Sequence, residues 1–300
     1  MRQVTIAAIQ MACERVDDKA FNPNIKKALE LSRKAAQAGA QIILLPELFD
    51  NWYFCQERNY DSYKLAKSLE ESPTVAAFRE LCAELELVMP ISFYEKAGNT
   101  TFNTIAMIDA DGSILGTYRK THIPDDHYYQ EKFYFTPGDT GFKAFKTRYG
   151  TIGCGICWDQ WFPESARSMA LAGAEILMYP TAIGSEPILE TDSMPHWRRV
   201  MQGHSAANLM PLIAANRIGT EAVSPSQANG GQNSQLKFYG SSFMTDAKGD
   251  IIENADRESE QILLHSYDLD SIADDRLSWG LFRDRRPEAY SIISSHGEIQ

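Results

Sequence analysis

AGAQIILLPE (residues 38–47) and AGAEILMYPT (172–181) occur in one chain at an offset of 134 residues. Each reads as a helix end, an apolar strand, then proline and a polar residue at the strand's carboxyl end. Working outward, VTIAAIQM (4–11) reads as a buried strand. The stretch 21–40 reads as a helix, with Asn22 as cap and Pro23 in the first turn. Ile25, Leu29 and Leu31 supply much of its apolar face, and Gly39 ends it. The second copy has the same surroundings: strand-like YGTIGCGIC (149–157) and helix-like PESARSMALAG (163–173) precede EILMYP (175–180). Two related β-α-β halves with parallel strands point to an α/β protein built as a symmetric sandwich of two sheets.

Further elements fill each half. A helix is expected from Ser72 and Pro73 to about Glu86, then a strand, VMPISFYE (88–95). TFNTIAMIDADGSILGTYRK (101–120) reads as a hairpin turning at Ala110-Asp111-Gly112. The aromatic, polar segment 121–141 is long enough to be functional or ordered by short elements of its own. A helix over about 195–209 leads into the strand PLIAANR (211–217). Residues 224–235 read as a polar surface loop, and two strands flank 246–249. No linker divides the chain, so one domain over 1–300 is expected, with a C-terminal tail from about residue 279.

The formal net charge is −11, against a general nucleic-acid binder or a polybasic membrane anchor, but compatible with a small cationic ligand. No stretch has the roughly 18 apolar residues of a membrane span. Nor does the start read as a secretion signal, so a cytoplasmic location is expected. Five cysteines at 13, 55, 82, 154 and 157 do not make a disulfide framework.

Cys154 and Cys157 admit three readings. A redox pair needs both sulfurs on one face, whereas residues three apart on a strand point to opposite faces. A structural zinc site needs about four ligands, and there is no second Cys-x-x-Cys. The third reading makes Cys154 a buried strand residue and Cys157 a nucleophile at the strand end, before a helix opened by Pro163. The partial positive charge of a helix start would favour thiolate there. LLPELF (44–49) puts Glu47 at another strand end, and GTYRKTHIP (116–124) puts Lys120 at a third. A carboxylate, an ammonium and a thiol at strand ends form a plausible catalytic set.

ILLPELF (43–49), GTYRKTH (116–122) and GCGICWDQWFPE (153–164), in this order and spacing, resemble the three motifs of the nitrilase or carbon–nitrogen hydrolase superfamily. The resemblance covers essentially the whole chain. It implies a four-layer αββα sandwich, a homo-oligomer (dimer or higher), and Glu47, Lys120 and Cys157 as a triad assisted by Glu131. Lys120 and the backbone N–H of Trp158 would stabilise the oxyanion, and Glu47 would carry the protons. No metal or organic cofactor is implied.

The family cuts nitriles, amides and N-carbamoyl compounds. Relatives acting on N-carbamoyl D-amino acids have two arginines after the cysteine for the substrate carboxylate; here Gln160 and Trp161 stand instead. PTAIGSEP (180–187) follows the second copy of the repeated strand, so its loop should face the same site and bring Glu186 to it. Glu186 among Tyr53, Trp158 and Trp161 would suit an alkylammonium tail. FDNWYFCQ (49–56) and PTAIGSEP look like the polyamine branch of the family. That branch implies a small cationic N-carbamoyl substrate, N-carbamoylputrescine. Two alternatives stay open. One is another ω-amide, or N-carbamoyl-β-alanine with Arg217 as the residue for its carboxylate. The other is a non-catalytic binding or scaffold member of the fold. His122 and His127 are expected to bond within their own loop.

Overall fold

Apolar side chains alternate along the repeated strands, and the computed structural model shows where each set goes. It describes residues 1–16, 22–185 and 188–297. The first half runs β1 (Gln3–Ala12), α1 (Pro23–Gln37), β2 (Ile42–Leu44), α2 (Pro73–Leu85), β3 (Met89–Ala97), β4 (Thr100–Ile108) and β5 (Ile114–Arg119). The second runs β6 (Ala144–Thr147), β7 (Gly150–Cys154), α3 (Pro163–Leu171), β8 (Ile176–Pro180), α4 (Met194–Asn208) and β9 (Leu212–Ala215). The chain then forms β10 (Arg217–Val223), β11 (Ser234–Tyr239), β12 (Phe243–Thr245), β13 (Ile251–Asn254), β14 (Gln261–Asp268) and α5 (Leu269–Trp279).

Both sheets have one plan. In the second, the order is β6-β7-β8-β9-β12-β13, with β7, β8 and β9 parallel and their neighbours antiparallel. In the first, β14 pairs antiparallel with β1, and β1 parallel with β2. A parallel bridge from Ile42 to Val88 then leads to the antiparallel run β3-β4-β5. The internal repeat is therefore a structural one.

Three apolar layers separate four layers of structure. Val4, Ile6, Ala8, Ile42 and Leu44 meet Ile152, Ile176, Met178 and Ile213 between the sheets. The alternate residues Ala7, Ile9 and Ile43 pack outward with Ile25, Val75 and Phe78 of α1 and α2. Leu177, Tyr179 and Leu212 likewise meet Met169, Trp197 and Met201 of α3 and α4. Strand periodicity of two, with both faces buried, makes this an αββα sandwich.

Asn22 caps α1 through Asn24 N and Ile25 N, with Pro23 next, as expected. The buried face differs from the expected one. It is Ile25, Ala28, Ser32 and Ala35, while Leu29 and Leu31 are only partly buried. Small side chains let the helix sit close on the sheet, and the leucines flank the contact. The hairpin β4–β5 turns at Gly112 with φ 78°, where a Cβ would lie 2.6 Å from the Arg79 carbonyl oxygen. Among the described residues, no helix is long and apolar enough to cross a membrane.

Candidate active site

Three strand ends converge at the rim of the sandwich. Glu47 follows β2, and its N–H lies 3.3 Å from the carbonyl oxygen of Thr181. Thr181 occupies the matching position of the repeat, so the two copies meet at the site. Lys120 directly follows β5; its N–H bonds Asn103 O at 2.9 Å and its carbonyl accepts from Gly138 N at 2.8 Å. β7 stops at Cys154, and Cys157 opens a five-residue 3₁₀ helix, Cys157–Trp161, with φ 41°. That left-handed turn lifts the thiol off the strand. It also removes the premise that Cys154 and Cys157 share a strand and face opposite ways: both join the layer between the sheets, and both are free.

Asp159 holds the turn. Its Oδ2 accepts from Ile156 N at 2.9 Å and from the Tyr118 hydroxyl at 2.7 Å. Its Oδ1 accepts from His122 N at 3.0 Å and lies 2.7 Å from His122 Nδ1. The His122 ring stacks on Phe162 at 3.7 Å, so, contrary to expectation, His122 bonds to the turn after β7 and not within its own loop. His127 bonds through its N–H to Asp126, as expected for a residue serving its own loop.

At the centre, Lys120 Nζ donates to Glu47 Oε1 at 2.8 Å and to Glu131 Oε2 at 2.6 Å. Asn103 Nδ2 also donates to Glu47 Oε1, at 2.6 Å, and the Tyr53 hydroxyl donates to Glu131 Oε1, at 2.6 Å. Glu47, Lys120, Glu131 and Cys157 are all buried. One carboxylate oxygen, Glu47 Oε2, is buried without a hydrogen-bond partner among the described residues.

Electrostatics assign protonation states. Burial opposes the Lys120 charge, but Glu131 and Glu47 outweigh it and hold the ammonium well above its usual range. Burial, reinforced by Glu47 and opposed by Lys120, pushes Glu131 up to about 7. Cys157 is also driven well above the usual thiol range, by burial first and then Glu47, with Lys120 opposing. This corrects the expectation that a helix start favours thiolate: a single 3₁₀ turn in a buried, acid-rich setting leaves a thiol. A base is needed to remove its proton.

A cavity of about 400 Å³ opens over Cys157, walled by Glu131, Tyr129, Trp158, Trp161, Ala182 and Ile183. Its outer wall includes Asp125, Asp126 and His196, and no described lining residue is Lys or Arg. The loop after β8 faces the site, as the repeat implied, and the Cys157 sulfur lies 3.9 Å from Ala182 O. Glu186 lies outside the described residues. Two placements differ from expectation. Tyr53 is not on the cavity wall; it is buried behind Glu131, which takes its hydroxyl. Arg217 is fully buried and bonded to backbone carbonyls and Glu221, so no substrate carboxylate reaches it.

Asn103, Asp159, Asp125 and Asp126 were not singled out from sequence. Asn103 carried a signal, a polar residue inside the apolar run of β4. Asp125 and Asp126 lie in the long segment 121–141, expected to be either functional or ordered by short elements of its own.

A four-layer α/β sandwich with a thiol, a carboxylate and an ammonium on converging strand ends defines a class of thiol hydrolase. The chain belongs to the carbon–nitrogen hydrolase family, whose model matches residues 5–277, and it is an amidohydrolase. It is 52% identical to the N-carbamoylputrescine amidase of Oryza sativa subsp. japonica, over 97% of this chain and 94% of that one. It is 51% identical to the citrullinase of Francisella tularensis, over 98% and 99% of the two chains. The crystal structure of a carbon–nitrogen hydrolase from Helicobacter pylori G27 superposes with a TM-score of 0.88 at 35% identity, covering 99% of this chain and 100% of that one.

Proposed function

We propose that the chain hydrolyses N-carbamoylputrescine to putrescine, ammonia and carbon dioxide through a thioester on Cys157. The observation that carries the mechanism is Glu47 Oε2, the one carboxylate oxygen of Glu47 and Glu131 left without a hydrogen-bond partner among the described residues. Glu47 takes the thiol proton as the sulfur attacks the ureido carbonyl. Lys120 Nζ and the Trp158 N–H stabilise the oxyanion, and Glu131, steadied by Tyr53, holds Lys120 in place. The proton on Glu47 goes to the departing ammonia. Water, deprotonated by Glu47, then cleaves the thioester. The N-alkylcarbamic acid so released falls apart to amine and carbon dioxide.

The cavity supports the substrate reading. Aromatic Trp158 and Trp161 flank it, its outer wall carries Asp125 and Asp126, and no described lining residue is Lys or Arg. That lining suits an alkylammonium tail. Glu186 would add a further acid. Citrulline is the second reading, favoured by the citrullinase relative. It has the same ureido group but adds an α-carboxylate, which this wall would repel. Ammonia release from N-carbamoylputrescine, citrulline and N-carbamoyl-β-alanine, measured side by side, tests the choice. Preference for either acid overturns the substrate and leaves the chemistry standing.

The same reading takes the chain as one cytoplasmic domain with a tail from about residue 279, assembled as a homo-oligomer. Exposed Leu277, Trp279, Ile292 and Ile293 near that tail support assembly. Sedimentation at several concentrations tests it; a monomer throughout would overturn it.

A further inference from the structure

Asn216 connects β9 to β10, which opens with Arg217, beneath the two repeated strand ends, and both side chains are fully buried. Arg217 Nη2 donates to Glu47 O at 2.8 Å and Leu48 O at 2.6 Å, and Nη1 donates to Asn51 O at 2.9 Å. These carbonyls belong to the turn that carries Glu47. Leu48 within it has φ 47°, a left-handed conformation that costs a leucine roughly 1–2 kcal/mol. One planar guanidinium bonds three backbone carbonyls of this turn that pair with no strand, those of Glu47 and Leu48 buried and that of Asn51 partly buried. Glu221 on β10 completes the arrangement. It accepts from Arg217 Nη1 at 3.1 Å and from Tyr53 N at 2.5 Å. Tyr53 is the residue that fixes Glu131.

Asn216 treats the other half in the same way. Its Oδ1 accepts from Ile183 N at 3.0 Å, and its Nδ2 donates to Ile183 O at 2.9 Å and Gly240 O at 2.8 Å. That holds the loop in which Ala182 and Ile183 wall the cavity and Ala182 O faces the thiol.

We propose that Asn216 and Arg217, with Glu221, are the positioning residues of this active site, each clamping the strand-end loop of one half. Arg217 sets where the Glu47 carboxylate stands against the thiol, and Asn216 sets the wall the substrate meets. Neither touches substrate. The inference rests on the reading of Glu47 as base and Cys157 as nucleophile. A lysine at 217 is a point charge and cannot hold three carbonyls spread around a fork. Misplacing a catalytic group by about 1 Å costs on the order of 10²-fold.

The test uses full-length Arg217→Lys, Glu221→Gln and Asn216→Ser. It measures melting temperature, iodoacetamide titration of Cys157, and kcat and KM per titrated site for ammonia release from N-carbamoylputrescine. Arg217→Lys is expected to lose about 10²-fold in kcat with KM within about 3-fold. Asn216→Ser is expected to show the opposite split, with KM raised about 10-fold and kcat moving less. Wild-type kcat in Arg217→Lys, or a loss confined to KM, overturns the proposal. If Arg217→Lys does not fold, Glu221→Gln carries the test: about 10-fold lower kcat at unchanged KM is expected, and wild-type kcat overturns it. Failure of the underlying reading is seen separately, as turnover retained by Cys157→Ala in an otherwise unaltered chain.

Discussion

Single side chains in this site do separable jobs. Cys157 stands at a left-handed turn beside Glu47 and Lys120, whereas Cys154 is packed between the sheets, its sulfur 4.0 Å from the Gly155 carbonyl oxygen. Cys157→Ala is therefore expected to lose at least about 10³-fold in turnover, and Cys154→Ala to keep its kcat; steady-state ammonia release reads both. Glu131 supports a pH prediction. Its carboxyl is raised from the ordinary 4.5 to about 7 by burial. A raised acid contributes stability that is complete below its unfolded value and is lost as pH rises through the folded one. Wild type should thus lose melting temperature relative to Glu131→Gln between pH 5 and 8. A constant difference across that range would contradict it.

At the scale of elements, loops and helices carry constraints of their own. Gly184 lies in the loop after β8, where a Cβ would fall 2.4 Å from the Lys237 carbonyl oxygen. Backbone cannot yield there, so Gly184→Ala should push this loop into the cavity and raise KM about 10-fold, with a smaller change in kcat. On α4, His204 is buried against the second sheet, and neither ring nitrogen has a hydrogen-bond partner among the described residues. Burial lowers its pKa to about 4. A depressed base contributes stability that is present above its unfolded value and is lost as pH falls through the folded one. Between pH 6.5 and 4, His204 should therefore cost wild type on the order of 3 kcal/mol. His204→Leu should flatten that limb of the urea-unfolding midpoint against pH.

Across the whole molecule, net charge −11 adds a long-range term. A cationic substrate is drawn to a negative surface, and salt screens the attraction over a Debye length of about 10 Å at 0.1 M. Hence kcat/KM for N-carbamoylputrescine should fall a few-fold between about 0.02 and 0.3 M salt, while the value for zwitterionic citrulline should change little. Equal salt dependence for the two would argue against electrostatic capture.

The α/β sandwich and the two halves were legible because strand and helix periodicities are local, and because AGAQIILLPE and AGAEILMYPT repeat. Glu47, Lys120 and Cys157 were legible for a related reason: each sits in a short motif whose place in the chain does not depend on the rest of the fold, whereas Glu131 followed only from the family resemblance those motifs carry. What the sequence left open is set by groups from distant positions meeting. Tyr53 could have faced substrate or Glu131; only the packing of its loop against Glu221 decides. Arg217 had the right charge for a substrate carboxylate, but the sandwich buries it under Glu47, where it meets backbone carbonyls 166 to 170 residues away. Cys157 at a turn start would favour thiolate if exposed, and burial beside Glu47 reverses that. Residue type and local pattern thus determined which side chains stand at the strand ends. Burial and long-range contact, which depend on how the two halves close on each other, decided their protonation and their partners.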